Sequence, residues 1–333
     1  MTDVNRGDPS SRPAAMDADF QDVGHATATG DHAPPTDAKA VSAVVAAAGG
    51  ELRQTSLWGD AWRSLLRRPL FLLGAGLMLV FAVMAVVPQL FTRTDPRACD
   101  LARSRQPPSA QAWFGYDALG CDYYANVVYG ARISMTIGLL VVTSVLVIGV
   151  TLGALAGFYG GWIDSVLARI TDVFYGLPLL LGAFVLLSVI SSRGLVQVSL
   201  ALTVFGWMTA MRLVRSTAIS VKSADYVQAA RALGAPASRL ITRHIMPNAI
   251  APVLVYATIA FGGIIAAEAT LSYLGIGLQR PEISWGLQID SGQRRLRDAP
   301  HLVLFPGLFL SLTVLSFILM GDALRDALDP KLR

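Results

Sequence analysis

"ISMTIGLLVVTSVLVIGVTLGALAG", residues 133–157, runs for twenty-five positions without one charged side chain. A helix needs about 20 apolar residues to cross a hydrocarbon layer roughly 30 Å thick. A lipid-exposed segment must also satisfy its own backbone hydrogen bonds, so this stretch reads as a membrane-crossing α-helix. The whole chain agrees: of 333 residues 53% are hydrophobic and 15% charged, and the mean hydropathy is +0.52, outside the range of soluble domains. Five further spans read as roughly 70–91, 173–191, 195–215, 249–277 and 302–321. The expected fold class is all-α, a polytopic membrane helix bundle with six transmembrane helices. Only the stretch Ser191 to Gly194 marks the junction of the third and fourth spans, and merging those two would reverse the topology downstream.

A net charge of +4 and an isoelectric point near 9.2 could indicate nucleic acid, but the arginines cluster beside apolar spans and form no single basic face. No nucleic-acid partner is expected; membrane lipid is. Arg63, Arg67, Arg68, Arg169, Arg212, Arg215, Lys222, Arg231, Arg239, Arg243, Arg325, Lys331 and Arg333 fall on one side, which the positive-inside bias makes cytoplasmic. The other side holds Arg93, Arg97, Arg280 and Arg294 among others, so the bias is moderate. Six spans then put both termini in the cytoplasm of a multi-pass cell-membrane protein. Residues 1–54, rich in Asp, Ala, Pro, Gly, Ser and Thr, read as a disordered cytoplasmic tail. With no charged n-region and short apolar h-region at the start, the first span is expected to serve as the targeting signal. Residues 55–69 read as an interfacial amphipathic helix, with Leu57, Trp58, Ala61, Trp62, Leu65 and Leu66 on one face and Arg63, Arg67 and Arg68 reaching headgroups. The alternative is an amphipathic helix lying on a protein core. The membrane-spanning remainder, 70–333, contains an external loop at 92–132 and a cytoplasmic loop at 222–248.

Catalytic signatures are missing from this sequence: there is no H-E-x-x-H, no G-x-S-x-G and no P-loop. His25 and His32 lie in the tail, while His244 and His301 fall on opposite sides of the membrane. No catalytic, metal or cofactor site is expected in this chain. Glu268 is the one candidate for ion coupling, because intramembrane carboxyls are costly and usually functional. Counting about 19 residues at 1.5 Å along its helix places it near the outer interface. It reads as hydrogen-bonded within the bundle; the alternative is an ion-coupled carrier or channel that uses it. Cys99 and Cys121, the only cysteines, share the external loop, where disulfides persist, so a bridge is expected, with two free thiols as the alternative. Gly149, Gly153 and Gly157 repeat at four-residue spacing, a stripe that suits close helix packing, or else the lining of a substrate path.

"YVQAARALGAPASRLITRHIMPN", residues 226–248, interrupts the apolar pattern with a punctuated basic element. Asp225 and Gln228 fit a D-x-x-Q capping box. Tyr226, Ala229, Ala230 and Leu233 fall on one face, Gly234 can take the left-handed conformation that ends a helix, and Pro236 can start a second short helix. The small-residue face either docks in another protein's groove or packs back on its own bundle.

"QAARALG" followed nine residues later by "HIMP" resembles the EAA loop of ABC-importer membrane subunits, whose coupling helix docks on the ATP-binding subunit. "WFGYDALGCDYYANVVYGARISMTIG", "GFYGGWIDSVLARITDVFYGLP", "EATLSYLGIGLQRPEISWG" and "GDALRDALDPKLR" add to a resemblance to the C-type permease of dipeptide and oligopeptide importers, covering residues 56–333. It implies the type I ABC importer permease fold and a homologous B-type permease as heterodimer partner. It further implies two cytosolic ABC ATPase subunits, an external solute-binding protein and a peptide substrate, with nickel complexes, haem or glutathione as cargo of relatives. ATPase coupling would fall to Asp225, Gln228, Ala229, Ala230, Arg231 and Gly234. Two departures stand out: Gln228 replaces the first Glu of Glu-Ala-Ala, and Gly120-Cys121-Asp122 replaces Gly-Arg-Asp, which strengthens the bridge reading.

Overall fold

The computed structural model describes residues 57–328. The expected 1–54 tail, and Lys331 and Arg333, lie outside the described residues. A short amphipathic helix comes first, α1 (Leu57–Leu66). Leu65 is buried against Phe71, Ala323 and Ala327, while Trp62 and Leu66 stay exposed, so the helix both packs on the bundle and offers an apolar edge. Arg68 then pairs with Asp326 at 2.6 Å, and Pro69, whose missing N–H costs nothing at a first helical position, opens α2 (Pro69–Val86).

The quoted span is the centre of a longer rod, α3 (Tyr123–Tyr159). Its 37 residues extend roughly 55 Å, more than a hydrocarbon layer requires. It starts ten residues before the expected 133, because the Asp122 side chain accepts from Ala125 N at 2.8 Å and fixes the cap there. The expected loop 92–132 is shortened accordingly. α3 packs against α2 and nearly every later helix.

The expected span 173–191 is corrected to two helices, α4 (Gly161–Tyr175) and α5 (Leu179–Val189), which meet at 81°. Pro178 supplies the reason: it lacks a donor and biases Leu177 away from helical backbone. The expected span 195–215 is likewise a bent pair, α6 (Leu195–Val204) and α7 (Met208–Lys222), at 44°, and it continues seven residues further than expected. The short helix α8 (Asp225–Ala232) follows after two residues. From Ala237 the chain runs through α9 (Ala237–Leu240) and a π-helical turn, Ile241–Ile245, into α10 (Met246–Tyr273). The expected second short helix is therefore the foot of one 37-residue rod, Ala237–Tyr273, and the span drawn at 249–277 shifts toward the N-terminus. Its end is set by Gly275 at φ +77°, with Ile276 N bonded to Leu271 O and Gly275 N to Ser272 O, a Schellman stop.

A helix absent from the expectation, α11 (Trp285–Gln293), starts where Ser284 accepts from Leu287 N, and α12 (His301–Leu328) closes the bundle. Trp285 is fully buried; its indole N–H donates to Val127 O at 2.9 Å and its ring meets Phe81 edge-on. Four helices, α2, α3, the Ala237–Tyr273 rod and α12, are each long and apolar enough to cross a membrane, and the count is six when each bent pair is one span. Leu79, Leu139, Leu200 and Leu304 remain exposed on the outside, which suits hydrocarbon surroundings better than water.

Candidate functional site

Two ends of the bundle carry polar structure, and the more exposed of them is built around α8. Only Ser223 and Ala224 join it to α7. Ala224 occupies the cap position and Asp225 has already entered the helix, so the expected capping box does not form. A box needs its acceptor on the residue just outside the helix. Gln228 turns back instead and donates Nε2–H to Lys222 O at 2.8 Å. Lys222 Nζ in turn donates to Phe158 O at 2.8 Å, satisfying a carbonyl at the negative end of α3.

Val227, fully buried, anchors α8 against Phe158, Ala218, Leu240 and Ile245, and half-buried Ala230 lies one turn on. The expected common face is thus split: Ala230 turns inward, whereas Tyr226, Ala229 and Leu233 turn outward, with Leu233 89% exposed. Positions i, i+3 and i+7 share a stripe, and the neighbouring stripe 227, 230 is the one that packs. Gln228 and Arg231 are also exposed, beyond the packed stripe, the Arg231 guanidinium lying 5.7 Å over the Phe158 ring. Gly234 has φ +84°; Gly234 N bonds to Arg231 O and Ala235 N to Ala230 O. That bond pair is again a Schellman stop, and it needs a residue that tolerates positive φ. Beyond it, Asn248 Nδ2 donates to His244 O at 2.6 Å and to the Tyr226 hydroxyl at 3.3 Å, fastening α8 to the foot of α10.

The breaks in the two bent pairs face each other across a cavity of about 470 Å³. Tyr175 and Pro178 from the first break, Phe205 and Gly206 from the second, and Tyr256 and Gly263 from α10 line it, and no charged side chain does. A Cβ placed on Gly263 would meet nothing within 4 Å, so this glycine faces open space. Reasoning from the sequence did not identify this cavity; Gly176-Leu177-Pro178 and Phe205-Gly206 were the available signals.

Gly149, Gly153 and Gly157 all point at α7, where added Cβ atoms would come within 2.5 Å of Ala210 Cβ, Met211 O and Ala218 Cβ respectively. They stand in the helix contact and do not line the cavity. Glu268 is fully buried near the far end of α10; its Oε1 accepts from Ser272 Oγ at 2.8 Å and Ser284 Oγ at 3.1 Å, tying α10 to the cap of α11. At that same end Cys99 and Cys121 are bonded, their Cα atoms 4.0 Å apart. A second cavity of about 330 Å³ lies beside the bridge, with Arg97, Asp117, Arg280 and Glu282 on its wall.

Residues 149–333 match the model of the binding-protein-dependent transport system inner membrane component, and residues 56–108 match the N-terminal TM domain of oligopeptide transport permease C. A dipeptide transport system permease protein of Alkalihalophilus pseudofirmus is 37% identical over 84% of this chain and 91% of its own length. An oligopeptide transport system permease protein of Bacillus subtilis is 39% identical, covering 84% of this chain and 92% of its own. A glutathione transport system permease protein of Pectobacterium atrosepticum is 36% identical over 83% and 92%. With this agreement running from the first described helix to the last, the chain belongs to the binding-protein-dependent transport inner-membrane components, among the dipeptide and oligopeptide permease C proteins.

Proposed function

We propose that this chain is a membrane-spanning subunit of an ATP-driven importer and that it passes di- and oligopeptides handed over by an external binding protein. The observation that carries the reading is α8: a short helix with Tyr226, Ala229 and Leu233 facing outward, joined to α7 by two residues and stopped by Gly234. An exposed leucine and tyrosine on one stripe of a short helix suit a partner's groove. In this reading the α8 end is cytoplasmic, both termini lie on that side, and each of two cytosolic ATPases docks on one permease. A homologous B-type permease completes the path beside the uncharged cavity, and ATP cleavage belongs entirely to the ATPases. Asp225 contributes a negative charge at the positive end of α8. The α1 helix, with Trp62 and Leu66 outward, lies in the membrane interface.

Co-expression with the neighbouring ATPase and permease genes, followed by purification and reconstitution with the binding protein, tests the reading. Peptide uptake that requires ATP and all partners is the expected result; uptake by this chain alone in liposomes would replace it with the Glu268 carrier. Gln228→Glu keeps the helix and forfeits one exposed hydrogen bond worth about 1 kcal/mol, so uptake is expected to fall less than about threefold. The bridge is tested separately: non-reducing mass spectrometry should recover a linked peptide pair containing Cys99 and Cys121, and alkylation of both without reduction would show free thiols.

A further inference from the structure

α4 is held to the bundle in an unusual way. Of its fifteen residues only Thr171 is buried, yet it delivers Tyr175 to the cavity and leads straight into the 81° break. Besides the packing of Leu167 and Phe174 near Met211 and Trp207, two ion pairs fasten it to α7. Arg215 of α7 reaches Asp164 through both Nε and Nη2, at 2.5 and 2.6 Å, in a bidentate fork. Three residues earlier on α7, Arg212 donates to Asp172 at 2.8 Å and lies 4.1 Å over the Tyr175 ring. Both aspartates face the same helix, so α7 grips α4 near its start and near its end, while Leu167 between them packs in an apolar cluster with Ala156 of α3 and Met211 of α7. At its far end Phe174 meets Phe205 and Trp207, the residues of the second break.

α7 is also the helix that continues into α8, with Lys222 and Gln228 stiffening the two-residue join. A displacement of α8 therefore bears on α7, and among the contacts between α7 and α4 the two ion pairs are the directional ones. We propose that Asp164–Arg215 and Asp172–Arg212 are positioning pairs that convert movement of α8 into movement of the cavity-lining break at Gly176 to Pro178. A bidentate guanidinium–carboxylate fork has the required property, since it fixes both distance and orientation. Apolar contact would let the helices slide. The inference rests on the reading of α8 as the ATPase-docking helix.

The test uses the whole reconstituted complex and reads two quantities: ATPase retained on purification, and peptide imported per ATP hydrolysed. Asp164→Asn and Arg215→Gln should each retain ATPase yet lower the import ratio by about tenfold, and the exchange Asp164→Arg with Arg215→Asp should recover it to within about threefold. Should the inner pair prove necessary for assembly, Asp172→Asn and Arg212→Gln at the more exposed pair should show the same split. An unchanged ratio in both pairs would overturn the proposal, as would a loss of assembled complex with the ratio per complex intact, or an exchange that restores nothing. A wild-type complex that imports no peptide, or that retains no ATPase, would instead sink the importer reading.

Discussion

Gly153→Leu is expected to lower the stability of the folded permease sharply. The Cβ alone would sit 2.5 Å from Met211 O and 2.9 Å from Val214 Cβ, and Met211 O is backbone that cannot yield unless α7 moves. Gly149 and Gly157 meet the same helix as closely one turn to either side, so α7 has no route of local retreat. Overpacking a close contact costs about 1–3 kcal/mol and sometimes more, a large part of the usual 5–15 kcal/mol of native stability. The consequence reaches the site, because α7 positions Arg212, Arg215 and Lys222 and leads into α8. Gly263→Leu is the matched control: the residue is the same and the helix is again membrane-spanning, but its added Cβ meets open cavity. Detergent extraction with size-exclusion profiles and thermal midpoints should show a large loss for Gly153→Leu and little change for Gly263→Leu. Equal behaviour of the two would sink the packing account.

The contrast between those glycines also separates what is local to the sequence from what the fold decides. Hydropathy found each of the four helices long and apolar enough to cross a membrane, since the requirement for a long apolar stretch is met residue by residue along the chain. It misjudged where helices stop, because lipid thickness does not limit helix length. α3 begins at Tyr123 under the control of Asp122, and the α10 rod begins at Ala237 through a polar stretch that no apolar window could include. The π turn at Ile241–Ile245, where Met246 N bonds to Ile241 O, lets the rod absorb Pro247 without breaking. By contrast Pro178 does break its helix, helped by Gly176, and the cavity exists only because it does. The difference between a Pro tolerated and a Pro that ends a helix depends on neighbours distant in sequence. At the α8 corner, Gly234 was legible from local rules, whereas the choice of Ala224 over Asp225 as cap, and of Val227 over the Tyr226 stripe as anchor, was decided by Lys222, Phe158 and Ile245.

Gly234→Asp should leave the bundle intact and remove transport. An aspartate at φ +84° bears a left-handed strain of about 1 kcal/mol, and the added Cβ itself meets no neighbour. The strain stays local, in an exposed turn, so insertion and the thermal midpoint should hardly change. Function is exposed to a second effect. A carboxylate placed beside Leu233 would have to be desolvated in any partner groove that takes that leucine, without a built counter-charge. Failing to bury one leucine forfeits about 1.5–3 kcal/mol, roughly ten- to a hundredfold in docking affinity. Gly234→Ala separates the causes, since it carries the backbone strain and no charge. Peptide uptake and ATPase co-purification should therefore fall slightly for Gly234→Ala and collapse for Gly234→Asp. If the aspartate variant retains ATPase and transports at the wild-type rate, α8 does not dock there, and the exposed Tyr226–Ala229–Leu233 stripe must serve a different contact.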